Sequence, residues 1–165
     1  MSFSIIETHI VDYDGGMTDT RVQPTGAEAL AGDMSFLLAR ASALSNAAGN
    51  AALAPVGLKV RSYSVLELAA GEVRISQREI ADFLRLDPSQ VVALVDDLQV
   101  AGMVVREPDA RDRRANVVVA TPLGQQTLVQ ARRAVRDAEL SSHAQLTSAE
   151  RATLAVLLQK AAFPA

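Results

Sequence analysis

The stretch Val105–Pro122, VREPDARDRRANVVVATP, crowds four arginines (Arg106, Arg111, Arg113, Arg114) and three acids (Glu107, Asp109, Asp112) ahead of a run of valines. Guanidinium groups at this density suit one kind of chemistry. Each is a permanently charged, planar fork of donors that matches phosphate oxygens, and it enters a narrow minor groove where the negative potential is enhanced. Asp112, between Arg111 and Arg113, suits a different role: holding a neighbouring arginine in place through a bidentate pair. Standing alone, such a cluster reads as a solvated loop. The elements around it decide.

Other chemistries lack their residues. The chain has no Cys, which removes disulfides, thiolate catalysis and thiolate-ligated metals. His9 and His143 are far apart in sequence and stand away from any carboxylate cluster, so no metal site is expected. No Ser/His/Asp spacing, glycine-rich phosphate loop or carboxylate pair occurs, and GLKVRS at 57–62 is a connection between helices. The expectation is no catalytic residue and no cofactor.

The formal net charge of −3 is unevenly divided. Residues 1–33 hold six acids and one base, a local −5, which leaves about +2 for the remainder. An acidic chain of this kind neither vetoes nor supports a polyanion partner. The uncharged stretch between Arg40 and Lys59 is interrupted by Ser, Asn, Gly and Pro, a poor membrane span. With no basic region at its start, the chain is expected in the cytoplasm, away from membranes. The length of 165 residues suits one domain with a real core.

Residues 1–26 read as an extension or arm, with β-prone residues around Phe3–Val11. From Ala27 an apolar 3/4 spacing (Leu30, Met34, Leu37, Leu38, Ala41, Leu44, Ala48) predicts one long helix to about Leu53, stopped by Pro55 and Gly57. A second helix spans roughly Ser62–Ala70. SQRE (Ser76–Glu79) is a capping box that opens a short helix carrying Ile80, Ala81 and Leu84. Asp87 then caps, and Pro88 starts, a further helix with Val91, Leu94, Val95 and Leu98 on a buried stripe, ended by Gly102. Two strand-like runs, Met103–Arg106 and Asn116–Thr121, flank the arginine-rich loop. A long helix runs from Pro122 to about Ser142, and a second capping box, TSAE (Thr147–Glu150), opens the last helix, with Leu154, Leu157, Leu158 and Ala161 on one face.

Two short helices joined by a tight turn, then a β-hairpin with a basic tip, make a winged helix-turn-helix. The fold class expected is mainly α with a small β-hairpin, plus a helical dimerisation region. The second helix fits a major groove, with Ser89, Gln90, Val92 and Ala93 outward at its N-terminal end. There Gln can bond an adenine edge, and Val and Ala can sit against a thymine methyl. Arg111, Arg113 and Arg114 reach phosphates or the minor groove, with Asp112 positioning them. Val92 also fits the core, and Ser89 and Gln90 also fit ordinary exposed first-turn residues. Arg132, Arg133 and Arg136 fit solvated or inter-subunit ion pairs better than DNA contacts.

The region resembles the MarR family of bacterial transcription regulators. The resemblance rests on LAPVGLKVRSYSVLELAA (Leu53–Ala70), PSQVVALVDDLQVAGMVVRE (Pro88–Glu107) and DARDRRANVVVATPLG (Asp109–Gly124), and it covers about residues 27–162. The last stretch is the most specific, resembling a family pattern D-x-x-D-R-R-x-x-x-V-x-L-T-x-x-G, with Ala120 at the Leu position. Departures fall in the recognition helix: Val92 stands where Thr is common, Ala93 where a larger polar residue is common, and Asp97 where a base is common.

The resemblance implies a homodimer built from residues 27–54 and 122–162, with 58–121 as the winged helix-turn-helix. It also implies double-stranded DNA with a pseudo-palindromic operator as partner, a repressor more often than an activator, and release by a small amphipathic or aromatic effector. In the resemblance the effector lodges where the dimerisation helices meet the DNA-binding lobe, near Arg40, Leu44, Tyr63 and the start of the Pro122 helix. A packed helix junction with an exposed arginine fits the same residues. The competing class is a winged-helix module that binds another protein without sequence-specific DNA binding.

Overall fold

The computed structural model describes residues 27–109 and 116–164. The arm with its expected strand at Phe3–Val11, and the loop 110–115, lie outside the described residues. The chain divides into two compact units, Met1–Leu37 and Leu38–Ala165.

In the first unit, the helix expected to run unbroken from Ala27 is interrupted. A short α1 (Ala27–Ala31) ends, and α2 (Met34–Leu53) begins after two intervening residues. Asp33 is the cause: its Oδ1 accepts from the Phe36 N–H at 2.7 Å, the bond of a helix start. Gly32 before it weakens the helix further.

The second unit holds the core. After a 3₁₀ turn at Ala54–Val56, Gly57 takes a left-handed φ of 73° and redirects the chain into α3 (Val60–Ala69). The start of α3 is tied to α2 by the Val60 N–H, which donates to Asn50 Oδ1 at 2.8 Å. Next come β1 (Ile75–Ser76), α4 (Gln77–Leu84), α5 (Pro88–Val100), β2 (Val104–Pro108), β3 (Asn116–Ala120), α6 (Pro122–Ser142) and α7 (Ser148–Ala162). The three strands form an antiparallel sheet in the order β1-β3-β2, with Val118 of β3 opposite Ile75 on one side and Arg106 on the other. The hairpin expected from sequence is therefore three-stranded. β1 is two residues long and owes its extension to pairing with β3, so its own sequence carries no strand signal.

Leu53, Val65, Leu66, Ile80, Val91, Val95, Val104, Val118 and Leu128 are fully buried and pack as one cluster drawn from α2 to α6. Fully burying one such side chain stabilises the fold by about 1.5–3 kcal/mol. α7 contributes no buried residue; its box at Thr147 and Glu150 forms as expected, and Phe163 just beyond its end lies against Phe83 with ring centroids 5.8 Å apart.

Two contacts fix α6. Arg132 donates Nε and Nη2 to the two carboxylate oxygens of Glu67 at 2.8 and 2.7 Å, a bidentate pair within the chain where a solvated or inter-subunit pair was expected. At its start, Thr121 N–H donates to Met103 O at 2.9 Å and Thr121 Oγ1 donates to Gly102 O at 2.7 Å. Gly124 then passes so close that a Cβ there would lie 2.1 Å from Met103 O.

Gly124→Ala should therefore destabilise the chain by more than about 2 kcal/mol, since backbone must move to admit the methyl. Parallel urea denaturations measure this, and an unchanged midpoint contradicts it. A second expectation concerns pH. The Arg132 bonds hold the Glu67 carboxyl below its ordinary 4.5, against the burial that pushes it up and with help from the Tyr63 hydroxyl. A carboxyl depressed in the folded state contributes stability that is complete above its unfolded value and lost as pH falls through the folded one. For a half-exposed pair this is at most about 1 kcal/mol. Glu67→Gln should thus lower the urea midpoint at neutral pH and converge on the wild type in strong acid; an offset that persists unchanged in acid contradicts the assignment.

Candidate nucleic-acid interface

Local capping chemistry builds the helix pair. At the start of α4 the Glu79 N–H donates to Ser76 Oγ at 3.3 Å while Glu79 Oε2 accepts from the Ser76 N–H at 2.7 Å. α4 ends on Arg85, a non-glycine in the left-handed region at φ 53°, which turns the chain sharply. Asp87 then caps α5: its Oδ1 accepts from the Ser89 N–H at 2.8 Å and from the Ser89 hydroxyl at 2.5 Å. Those bonds hold the Asp87 carboxyl below its ordinary range, the Ser89 hydroxyl first and its backbone second. α5 closes with Gly102 at φ 72° and the Met103 N–H on Leu98 O at 2.9 Å, a helix end that glycine makes cheap.

The buried stripe of α5 is Val91, Val95 and Leu98, with Leu94 half-buried. Its other side is exposed. Ser89, Gln90, Val92 and Ala93 all face solvent, and Val92 at 44% exposure is no core residue. The structure thus brings the four recognition-helix residues onto one accessible face, with the donor of the Ser89 hydroxyl already engaged by Asp87. α5 carries no Lys or Arg, and Asp96 and Asp97 are exposed farther along it. Positive charge must come from elsewhere.

The wing strands supply the position for it. β2 and β3 pair without interruption from Val104↔Ala120 to Pro108↔Asn116. Arg111, Asp112, Arg113 and Arg114 fall in the segment between the two strands and lie outside the described residues. Arg106, the fourth arginine of the cluster, is elsewhere. It occupies the middle of β2, where Nε donates to Gln77 Oε1 at 2.9 Å, Nη1 to Gln99 Oε1 at 2.8 Å and Nη2 to Asp96 Oδ1 at 2.5 Å. The sequence sets Arg106 at the end of the first strand-like run, apart from Arg111, Arg113 and Arg114, and gives it no partner. Strand alternation is the signal for its inward face, since Arg106 falls on the same face of β2 as the buried Val104. Arg74 Nη1 adds a 2.6 Å contact to Glu107 Oε2 of the same strand.

Arg40 and Leu44 are exposed on α2, and Tyr63 is half-buried on α3. The Tyr63 hydroxyl is engaged by Glu67, and burial together with that carboxylate pushes its pKa up to about 12. None of the three lines the two clefts that flank Val60. The larger, about 500 Å³, is bounded by Asn46, Asn50, Lys59, Arg61, Leu94 and Asp97, among others. The smaller, about 130 Å³, lies between Gly49 of α2 and Val135 and Ala138 of α6. Among the described residues no cluster of His, Asp and Glu is arranged to hold a metal, and no helix is long and apolar enough to cross a membrane.

Comparison with known proteins bears on the whole arrangement. The MarR family model matches residues 56–115, the span from the start of α3 through the wing loop. A MarR-family transcriptional regulator from Rhodococcus sp. RHA1 is 38% identical, covering 82% of this chain and 98% of that one, with a TM-score of 0.77. CouR from Rhodococcus jostii RHA1, solved with p-coumaroyl-CoA bound, is 39% identical over 82% of this chain and 96% of its own, with a TM-score of 0.73. A Thauera aromatica protein described as a transcriptional regulator of the hcr operon is 34% identical over 98 residues, and the match spans 59% of each chain. The helix pair, the three-stranded wing and the two Rhodococcus matches over 82% of this chain agree, and the chain belongs to the MarR family of transcription regulators.

Proposed function

We propose that the chain is a homodimeric repressor that binds a pseudo-palindromic DNA operator and is released by a small aromatic or amphipathic ligand. The observation that carries this reading is the exposed N-terminal face of α5, where Ser89, Gln90, Val92 and Ala93 are bound to nothing in the fold's own core. In this reading each subunit lays Pro88–Ala101 in a major groove, and Arg111, Arg113 and Arg114 reach the flanking minor groove, positioned by Asp112. The partner DNA sits with the protein in the cytoplasm.

The dimer rests on apolar surface that one chain leaves uncovered. Leu44 of α2, Val129 and Leu140 of α6, and Val156 and Leu157 of α7 are each at least half exposed, more than a solvated helix of a monomer tolerates comfortably. Residues 27–54 and 122–162 supply this surface, and 58–121 supply the DNA-binding part. For the effector, the chemistry bound by CouR supports an aromatic acid or its thioester. Its place is the α2–α3 junction; the cleft there is lined by Asn46 and Asn50 of α2, with Lys59 and Arg61 offering cations to an anionic group, while Arg40, Leu44 and Tyr63 stand outside that lining. A ligand there that fits one arrangement of α2 against α5 shifts the population away from the operator-competent spacing.

One observation favours a second reading. With no base on α5 and two acids on its exposed side, a winged-helix module that binds another protein is the competing function. Fluorescence anisotropy with duplex from upstream of the protein's own gene separates the two. Repressor chemistry predicts binding at low salt that is reversed by 4-coumaroyl-CoA; no binding to any duplex at low salt leaves the module. Arg113→Ala should weaken binding on all sequences and lower the salt slope by about one. Gln90→Ala should instead relax discrimination at one base pair by about 1–3 kcal/mol. Leu157→Glu should convert a dimer to a monomer in sedimentation velocity; a wild-type monomer contradicts the two-half-site geometry.

A further inference from the structure

Arg106 makes an unusual set of contacts for a residue in a DNA-facing arginine cluster. Its side chain is only 23% exposed and points inward. All three guanidinium nitrogens are engaged, by two elements that precede the wing in the chain: Gln77 opens α4, while Asp96 and Gln99 belong to α5. The Gln77 contact is strong enough to dictate that residue's orientation. With Oε1 turned to Arg106, Gln77 Nε2 is buried without a hydrogen-bond partner, an arrangement that costs stability. Flipping the amide would set donor against donor at Arg106, so the arrangement stands.

Where the contacts fall on α5 matters more than their number. Ser89, Val92, Asp96 and Gln99 are spaced by three, four and three residues, so they lie along one helical stripe. The first two are recognition residues, and the last two are the ones Arg106 grips. The middle of β2 is thus bolted to the continuation of the reading face itself. Opposite Arg106 across the sheet stands Val118, whose other neighbour is Ile75 of β1. Movement of Arg106 therefore tilts the whole three-stranded wing against α5.

We propose that Arg106 is a positioning residue for DNA recognition: through Asp96, Gln99 and Gln77 it fixes the angle and distance between the recognition helix and the wing, and it touches no DNA. The proposal rests on the DNA-binding reading above. It separates the arginines of the cluster into one that builds the interface and three that use it. It also gives Asp96, an acid on an exposed face near a polyanion, a reason to be there.

The test compares the full-length chain with Arg106→Met, which keeps the apolar stem, and with the milder Asp96→Asn. Both should weaken operator binding, Arg106→Met by about tenfold, equivalent to the loss of a charge-assisted network worth about 1.4 kcal/mol. The salt slope of Arg106→Met should match the wild type, because no phosphate contact is removed; a slope lower by about one would make Arg106 a DNA contact and overturn the proposal. Asp96→Asn is the sharper arm. Simple electrostatics predicts that removing an acid near DNA tightens binding, whereas the positioning role predicts weakening, so tighter or unchanged binding overturns it. Amide hydrogen exchange in β2 and β3, measured without DNA, should be faster in both variants. If the wild type binds no duplex, the DNA reading fails on its own, and unchanged exchange in the variants independently removes Arg106 as the wing's anchor.

Discussion

Where α5 ends and α6 begins, the chain closes on itself through two hydrogen bonds from Thr121 and the missing side chain of Gly124. Everything between those points is the wing, residues 103–121. Gly102 turns the chain out of the recognition helix with a left-handed φ, and Thr121 returns it to within 2.9 Å of the Met103 carbonyl. Had residue 124 a Cβ, the long helix could not start there, and the strands would lose their common base. The two strands of the wing are therefore clamped together where they begin and end. Arg106 adds the second constraint, holding β2 against α4 and α5.

This arrangement connects fold to function through geometry. A helix alone reads base edges weakly, and a basic loop alone binds any polyanion. Joined at a fixed angle, they would contact two grooves of one duplex in the proposed reading, and so measure spacing as well as sequence. The Arg132–Glu67 pair and the buried Leu128 fix α6 to the α3 side of the core, while Val129 and Leu140 on it are exposed. In the proposed dimer those residues meet the second subunit, so that a change at the junction of α2, α3 and α5 would reach both half-sites.

Much of this was legible in the sequence because it rests on local chemistry. Ser76 with Glu79, Thr147 with Glu150, and Asp87 before Pro88 announce helix starts through their own side chains, and the structure places all three as expected. The fold class and family followed from the order of these elements and the Asp109–Gly124 pattern. What escaped depends on partners distant in sequence. β1 exists only through β3; Glu67 and Arg132 meet from 65 positions apart. Arg106 was placed at the end of a strand, but its partners Gln77, Asp96 and Gln99 lie on other elements and were not named. The break at Asp33 was concealed by an apolar spacing that runs through it without interruption.

A hydroxyl-radical footprint of the wild-type protein on its own upstream duplex tests the central claim most directly. The account predicts two protected half-sites with centres about one helical turn, roughly 34 Å, apart. Each half-site should carry a flanking patch of minor-groove protection from the wing. A single unsymmetric patch, or cleavage identical to free DNA at low salt, would contradict it.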